Sequence, residues 1–195
     1  MKESDRTWIV LAALALVVAA LYYLLEVRGI ASKSDDVDYV WELQAEEVVA
    51  IRVVDNGAEA ATAVEKGADG MWMVTEPAPA LARTADCDSL AYTLAQMQVR
   101  RTIEEPPQEE LGAYGLITPT YTIEMRVSDG QTLRLEVGNE GLGASYFVRR
   151  EGEQAVLLVP AYAIDAAIAI VESPPLAEAP ILPGAPILGP TEEAP

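Results

Sequence analysis

From Trp8 to Leu25 the chain reads WIVLAALALVVAALYYLL, without a charge, an amide or a proline. At about 1.5 Å of rise per residue a helix of this run spans about 27 Å, close to the hydrocarbon thickness of a bilayer. A buried core helix would show a polar face at helical spacing, and this run has none. Trp8 at one boundary and Tyr22 and Tyr23 at the other stand where amphipathic rings favour the membrane interface, with Leu14 and Leu21 in the apolar body between them. A cleaved signal peptide is the rival. It would need a shorter apolar core and a small-residue cleavage site, whereas Tyr-Tyr-Leu-Leu follows here. The sequence therefore predicts an uncleaved single-pass anchor over 8–25, in contact with membrane lipid. Ala12, Ala13, Ala19 and Ala20 would permit close approach of another helix.

Lys2 and Arg6 flank one end of the run, and Arg28 and Lys33 the other, so the positive-inside bias is nearly even. A short N-terminal tail (1–7) ahead of a long C-terminal part predicts a cytoplasmic N-terminus and an extracytoplasmic domain in the cell membrane. The stretch 26–46, with the polar SKSDDVD at 32–38, reads as a linker. Asp35, Asp36 and Asp38 lack the glycine turn and distal glutamate of a calcium loop, which leaves them as solvated linker. Residues 47–172 are enough for one core and one domain.

A net charge of -18 argues against nucleic acid and against anionic lipid surfaces as partners, because both reward Lys and Arg. The chain has no histidine, which removes the commonest general base and transition-metal ligand. Its one cysteine, Cys87, rules out an internal disulfide. Cys87 lies near a helix start, but Asp86 and Asp88 oppose a thiolate there, and an inert thiol is expected; a cross-link to a partner is the alternative.

Turn chemistry organises the domain. Val48–Val54 is a β-branched run, Asp55-Asn56-Gly57 a turn and 58–65 a returning strand. A turn at 67–70 leads to a strand over 71–74, which Glu76-Pro77-Ala78-Pro79 ends. Leu90, Leu94 and Met97 at helical spacing predict a helix over 86–99, with Thr84 or Asp86 as its N-cap. After an acidic loop at 104–110 the plan recurs. Strands at 120–127 and 131–137 flank Ser128-Asp129-Gly130, strands at 145–150 and 155–159 flank Glu151-Gly152-Glu153, and a helix covers 161–171. The class is α+β: antiparallel hairpins with two helices on one face, arranged as two strand-strand-strand-helix units that could be an internal duplication.

Several strings in 47–171 carry a family resemblance. They are Val49-x-Ile51, Trp72-x-Val74-x-x-Pro77, Ala85-Asp86, Tyr114-Gly115-Leu116-x-x-Pro119, Leu135-x-Val137-Gly138 and Tyr146-Phe147-Val148. In order and spacing they resemble the bacterial domain of unknown function 4340. The resemblance implies an N-terminal membrane helix and, for some members, a place beside ABC-type transport components related to gliding-motility proteins. It brings no catalytic residues with it. The proline-rich C-terminus departs from the pattern.

Read as physical chemistry, these motifs are structural. In 111–116 the glycines let the chain turn while Tyr114 and Leu116 tuck inward, and Pro119 sets the entry of the next strand. Neither helix amides nor a lysine accompany Gly115 as a phosphate cradle would require. Gly138, Gly141 and Gly143, beside Asn139 and Glu140, read the same way. Trp72, between Met71 and Met73, is expected on the core face of its strand rather than as a stacking platform. Glu104, Glu105, Glu109 and Glu110 lie in a loop and read as a solvated patch able to dock a basic surface, not as paired glycosidase acids.

The segment 173–195 is dense in proline, and Ala179-Pro180-Ile181-Leu182-Pro183-Gly184 nearly repeats as Ala185-Pro186-Ile187-Leu188-Gly189-Pro190. Polyproline-like extension with Ile181, Leu182, Ile187 and Leu188 as apolar pegs suits a groove on another subunit; a solvated tail is the alternative. The sequence thus points to a non-catalytic accessory or scaffold subunit of a membrane complex, with other membrane-protein subunits as partners. No cofactor, metal or small-molecule ligand is expected. The alternative is a substrate-binding or transport-associated module of an ABC-type system, which would need a pocket with convergent polar groups.

Overall fold

A computed structural model describes residues 37–177. The segment 8–25, with Trp8, Leu14, Leu21, Tyr22 and Tyr23, lies outside the described residues, as do Pro180, Ile181, Leu182, Pro186, Ile187 and Leu188. Among the described residues no helix is long and apolar enough to cross a membrane.

The fold is α+β, a large antiparallel sheet with two helices. A 3-10 turn (Ala45–Glu47) leads into β1 (Val48–Asp55), β2 (Ala60–Lys66), β3 (Trp72–Glu76), the short β4 (Ala80–Leu81) and helix α1 (Thr84–Ala95). Then come β5 (Arg101–Ile103), β6 (Tyr121–Val127), β7 (Thr132–Gly141), β8 (Ser145–Arg150), β9 (Val156–Pro160) and helix α2 (Ala161–Glu172). The nine strands form one sheet in the order β4-β3-β2-β1-β6-β7-β8-β9-β5. Two meanders therefore run outward from a central pair in which β1 meets β6 antiparallel, with Ile51 opposite Met125 and Val53 opposite Ile123.

Alternation along the strands decides which face is covered. Ile51, Val53, Val64, Trp72, Val74, Ile123, Met125, Leu135, Val137, Val148, Leu157 and Val159 point to one side, where they form a continuous core with both helices. Helix α1 contributes Cys87, Leu90, Ala91, Leu94 and Ala95, and helix α2 Ala163, Ile164, Ala167 and Ile170, each set spaced three or four apart along one stripe. The alanines let the helices lie close to the sheet.

The opposite face carries charge. Arg52 bonds Glu76 at 2.9 Å and lies 3.5 Å from Glu124, which Arg134 approaches from the next strand at 3.5 Å. Arg149 pairs with Glu136 at 2.7 Å, and Arg126 with Glu65. These cross-strand pairs solvate the open face, as an antiparallel sheet with one wet side allows.

Helix α1 departs from its predicted bounds at both ends. Arg83, not Thr84 or Asp86, holds the cap position, and no side chain caps the helix there. The Arg83 amide is already committed to Pro175 O at 2.7 Å, so the chain stays extended to residue 83. At the other end the helix stops at Ala95 because 97–99 pairs with 38–40. Val40 N donates to Met97 O at 2.8 Å and Val99 N to Asp38 O at 2.7 Å. The same pairing draws into the domain residues read as linker: Val40 is fully buried, and a compact unit begins at Asp38. Likewise the first residues of the proline-rich segment are tied to the sheet, with Leu176 bridging Ala82 and Ala177 N donating to Leu81 O at 2.8 Å.

Candidate functional site

Trp72, Tyr114, Gly115, Leu116 and Pro119 are spread over two separate structural devices. Trp72 is fully buried in the core. Its indole N–H donates to Asp88 Oδ1 at 2.8 Å, and Lys66 Nζ donates to the same oxygen at 3.1 Å while lying 5.5 Å from the Trp72 ring centroid. The Trp72 hydrogen bond, followed by those from Lys66, holds the Asp88 carboxyl below its ordinary pKa. This trio pins α1 to β2 and β3.

The other motif residues form a clasp. Loop 104–119 folds over the charged face of the sheet, where Leu111, Leu116 and Val156 are buried with Ile103, Tyr114 and Phe147 around them. The Tyr114 and Phe147 rings lie 4.7 Å apart. Tyr114 is half-buried, and its hydroxyl reaches outward to Glu110 Oε2 at 2.7 Å, which raises its pKa. Gly115 takes a φ of 72°. Asn139 N donates to Tyr114 O at 2.8 Å, and Asn139 Nδ2 to Ala113 O at 2.9 Å. A Cβ on Gly138 would stand 2.1 Å from Tyr114 O, so the Tyr-Gly-Leu and Val-Gly-Asn strings are two sides of one contact. Pro119 O accepts from Asn56 Nδ2 at 2.9 Å, tying the β1–β2 turn to the entry of β6.

Among the concavities that the described residues form, two set aromatic side chains beside charged ones. The first, about 490 Å³, lies between the ends of β6, β7 and β8 and helix α2, and is lined by Tyr121, Tyr146, Asn139, Glu140, Asp165 and Glu172. Tyr146 donates to Glu140 Oε1 at 3.3 Å. Burial, then the charges of Asp165 and Glu140, push the Tyr146 phenol up to about 12. Tyr121 is raised in the same way, by burial and then by Asp55 and Glu172. Both phenols therefore stay protonated as donors among carboxylates. Among the described residues, every Arg and Lys except Arg100 and Arg101 is ion-paired, and none of the pairs involves Asp55, Glu140, Asp165 or Glu172. The cleft is thus a patch of uncompensated negative charge with an aromatic floor. The same end of the sheet presents Leu142 at the β7–β8 hairpin tip, 94% exposed, and Tyr162, one helical turn before Asp165 and 58% exposed.

The second concavity, about 420 Å³, opens beside the 39–43 segment and includes Tyr39, Trp41, Glu42, Asp129, Gln131 and Arg150 in its lining. Sequence reasoning singled out neither site. Asp165 reads as one charge in an otherwise apolar helix, and Tyr146 as one more aromatic in a strand; only folding brings them together. Cys87 is buried in the core, and burial, then Asp86 and Asp88, push its thiol up to about 11. No group of His, Cys, Asp and Glu among the described residues is arranged to hold a metal ion.

A family model described as "Domain of unknown function (DUF4340)" matches residues 72–172, from β3 through helix α2 and just over half of the chain. No curated protein and no solved structure matches it.

Proposed function

Since the chain belongs to the DUF4340 family, whose description assigns no activity, we propose from its own residues that it is a non-catalytic, membrane-anchored accessory subunit. In this reading the segment 8–25 anchors it in the cell membrane with the N-terminus in the cytoplasm. The α+β domain then meets basic segments of other membrane-protein subunits outside the cytoplasm. The observation that supports the reading best is the uncompensated charge of the Tyr121–Tyr146 cleft. Three carboxylates in the lining, with Asp55 beside Tyr121 and none of the four ion-paired among the described residues, two protonated phenols and an exposed leucine and tyrosine nearby suit a Lys or Arg side chain with apolar neighbours. The two outward-running meanders are read as a duplicated strand-strand-strand-helix unit whose second copy developed the cleft.

The test is isolation from native membranes in mild detergent, with mass spectrometry of co-eluting chains. The reading expects a stoichiometric partner that dissociates as salt rises and is lost from a Glu140→Gln, Asp165→Asn, Glu172→Gln variant that remains folded. A chain that elutes alone, or a partner indifferent to those three changes, refutes it.

A further inference from the structure

Helices α1 and α2 pack on the sheet with one side each, and among the described residues their other sides are open, with Tyr92 62% and Tyr162 58% exposed. Arg83 N donates to Pro175 O at 2.7 Å, so α1 starts where α2 ends and the two helices run antiparallel. Between them opens a groove of about 370 Å³. Ser89 and Thr93 form its α1 wall and Ala166 and Ala169 its α2 wall, with buried Leu90 and Ile170 at the bottom. Thr93 spends its hydroxyl on Ser89 O at 2.8 Å, so it asks no hydrogen bond of a partner.

Electrostatics fixes the sign of what fits there. The two helices carry Asp86, Asp88, Asp165 and Glu172 and neither Lys nor Arg. Arg83 and Lys66 compensate Asp86 and Asp88, whereas Asp165 and Glu172 have no ion pair among the described residues. Glu172 also stands in the last turn of α2, where the helix dipole already places negative charge and a cation is the stabilising group. The isolated chain bears that repulsion, and a cation from outside relieves it. Ala169 lines both the groove and the Tyr121–Tyr146 cleft, and it stands one helical turn from Asp165 and from Glu172. An element lying in the groove is therefore beside both carboxylates.

Shape fixes the conformation. Both walls are helices whose backbone groups are bonded internally, so an extended partner finds no strand edge and would bury its own amides unpaired. A helix brings a backbone already satisfied. Its small or apolar residues, three and four apart, fit between the walls, while Lys or Arg on the adjoining stripe reach the carboxylates of α2.

We propose that the α1–α2 groove seats a basic amphipathic helix of a partner subunit, which lays its apolar stripe between Ser89 and Ala166 and extends a Lys or Arg across α2 to Asp165 and Glu172. The proposal rests on the accessory-subunit reading for the charge of the partner and adds its conformation and its seat.

The probe is a synthetic helix of about 18 residues, long enough to be helical in isolation, built from Lys, Leu and Ala with the lysines on one face and one benzophenone in the apolar stripe. It is titrated onto the full chain in a zwitterionic detergent, against a detergent blank, and its photo-adducts are mapped by mass spectrometry. One control peptide replaces two central alanines by proline and keeps the charge; the other carries glutamate in place of lysine. Saturable binding of the first peptide alone is expected, with adducts confined to 83–93 and 166–175. Ser89→Trp, at an exposed position the fold tolerates, and Ala166→Trp fill the groove without entering the cleft. Each should weaken binding about tenfold, the cost of blocking a central interface contact. Asp165→Asn with Glu172→Gln should weaken it as much and flatten its salt dependence. Absence of saturable binding, equal binding of the proline peptide, adducts elsewhere, or unchanged affinity in both Trp variants overturns the helix seat and leaves the charge of the cleft as it was. Indifference to the Asp165 and Glu172 changes overturns this proposal and the basic-partner reading together. A dimer of the chain that Ser89→Trp abolishes gives the groove to a second copy and likewise overturns the proposal.

Discussion

Gly138→Ala tests the clasp between loop 104–119 and β7 with a single methyl group. Gly138 has an ordinary negative-side backbone, so alanine meets no conformational objection there, and the reduced freedom of the unfolded chain would by itself favour the variant by about 0.4–1 kcal/mol. The obstacle is contact: the new Cβ would lie 2.1 Å from Tyr114 O and 3.2 Å from Gly115 C, where real Cβ atoms essentially never come within 3.0 Å. The loop backbone must withdraw by about 1 Å, which stretches the Asn139 N to Tyr114 O bond from 2.8 Å and the Asn139 Nδ2 to Ala113 O bond from 2.9 Å beyond useful length. Two hydrogen bonds at about 1 kcal/mol each, together with partial exposure of Leu111 and Leu116, give a net loss of about 2–4 kcal/mol. Gly130→Ala is the control. Gly130 has a φ of 91° and nothing within 4 Å of its would-be Cβ, so its cost is backbone strain alone, about 1 kcal/mol. Urea unfolding of the full chain in detergent, followed by the fluorescence of buried Trp72, measures both. A Gly138→Ala variant within 0.5 kcal/mol of the native chain, or one less costly than Gly130→Ala, would refute the close-approach argument.

Two further outcomes follow from the core. Asp88→Ala should cost about 1 kcal/mol at neutral pH by stripping the acceptor from the Trp72 indole N–H, whereas Asp88→Asn, which keeps an acceptor, should cost less. Because the folded carboxyl is held below its unfolded pKa of about 3.9, the advantage of Asp over Asn is present above that value and fades as pH falls through the folded pKa. Parallel acid unfolding curves for the native chain and Asp88→Asn down to pH of about 2 would contradict the assignment. Cys87, buried and with its thiol pushed up to about 11, should resist an aromatic disulfide reagent at mildly alkaline pH until urea unfolds the domain; prompt labelling of the native chain would show the helix α1 interface to be open.

The parts of the fold that were legible in the sequence are those in which cause and effect are close in the chain. Asp55-Asn56-Gly57, Ser128-Asp129-Gly130 and Glu151-Gly152-Glu153 each announce a turn, and the strands beside them begin and end within a few residues of expectation. What escaped depends on distant partners. Ala80–Leu81 and Arg101–Ile103 are too short to show a period, and they are strands because Met73–Val74 and Val156–Leu158 lie beside them. Asp38 to Val40 looked like linker because its partner, 97–99, was counted as helix, and each mistake concealed the other. The concavities were hidden for the same reason. Glu140 and Asp165 are far apart in the chain, and so are Ser89 and Ala166, the walls of the helix groove.

Topology shows why the two halves make one domain. After α1 the chain does not return to its own meander; β5 crosses to the far edge and pairs with β9. After α2 the residues that follow do the converse, and Leu176 bridges Ala82 beside β4 at the opposite edge. Each half thus closes the sheet edge of the other with a piece a few residues long. Unpaired edges are liabilities in an antiparallel sheet, and short covering segments are one of the ways proteins manage them. The exchange also explains why residues with no local propensity to be ordered are nevertheless ordered, since Pro174 to Ala177 owe their place to Leu81 and Arg83. The last described residues, Pro174 to Ala177, lie at the β4 edge, beside exposed Met73 and Leu81, while the Tyr121–Tyr146 cleft lies against helix α2 and the β7–β8 hairpin. Leu176 is thus committed to Ala82 rather than to the cleft, although Glu172 of the cleft lining stands only four residues before it, so a Leu176→Ala change is expected to loosen the β4 edge and leave the cleft carboxylates in place.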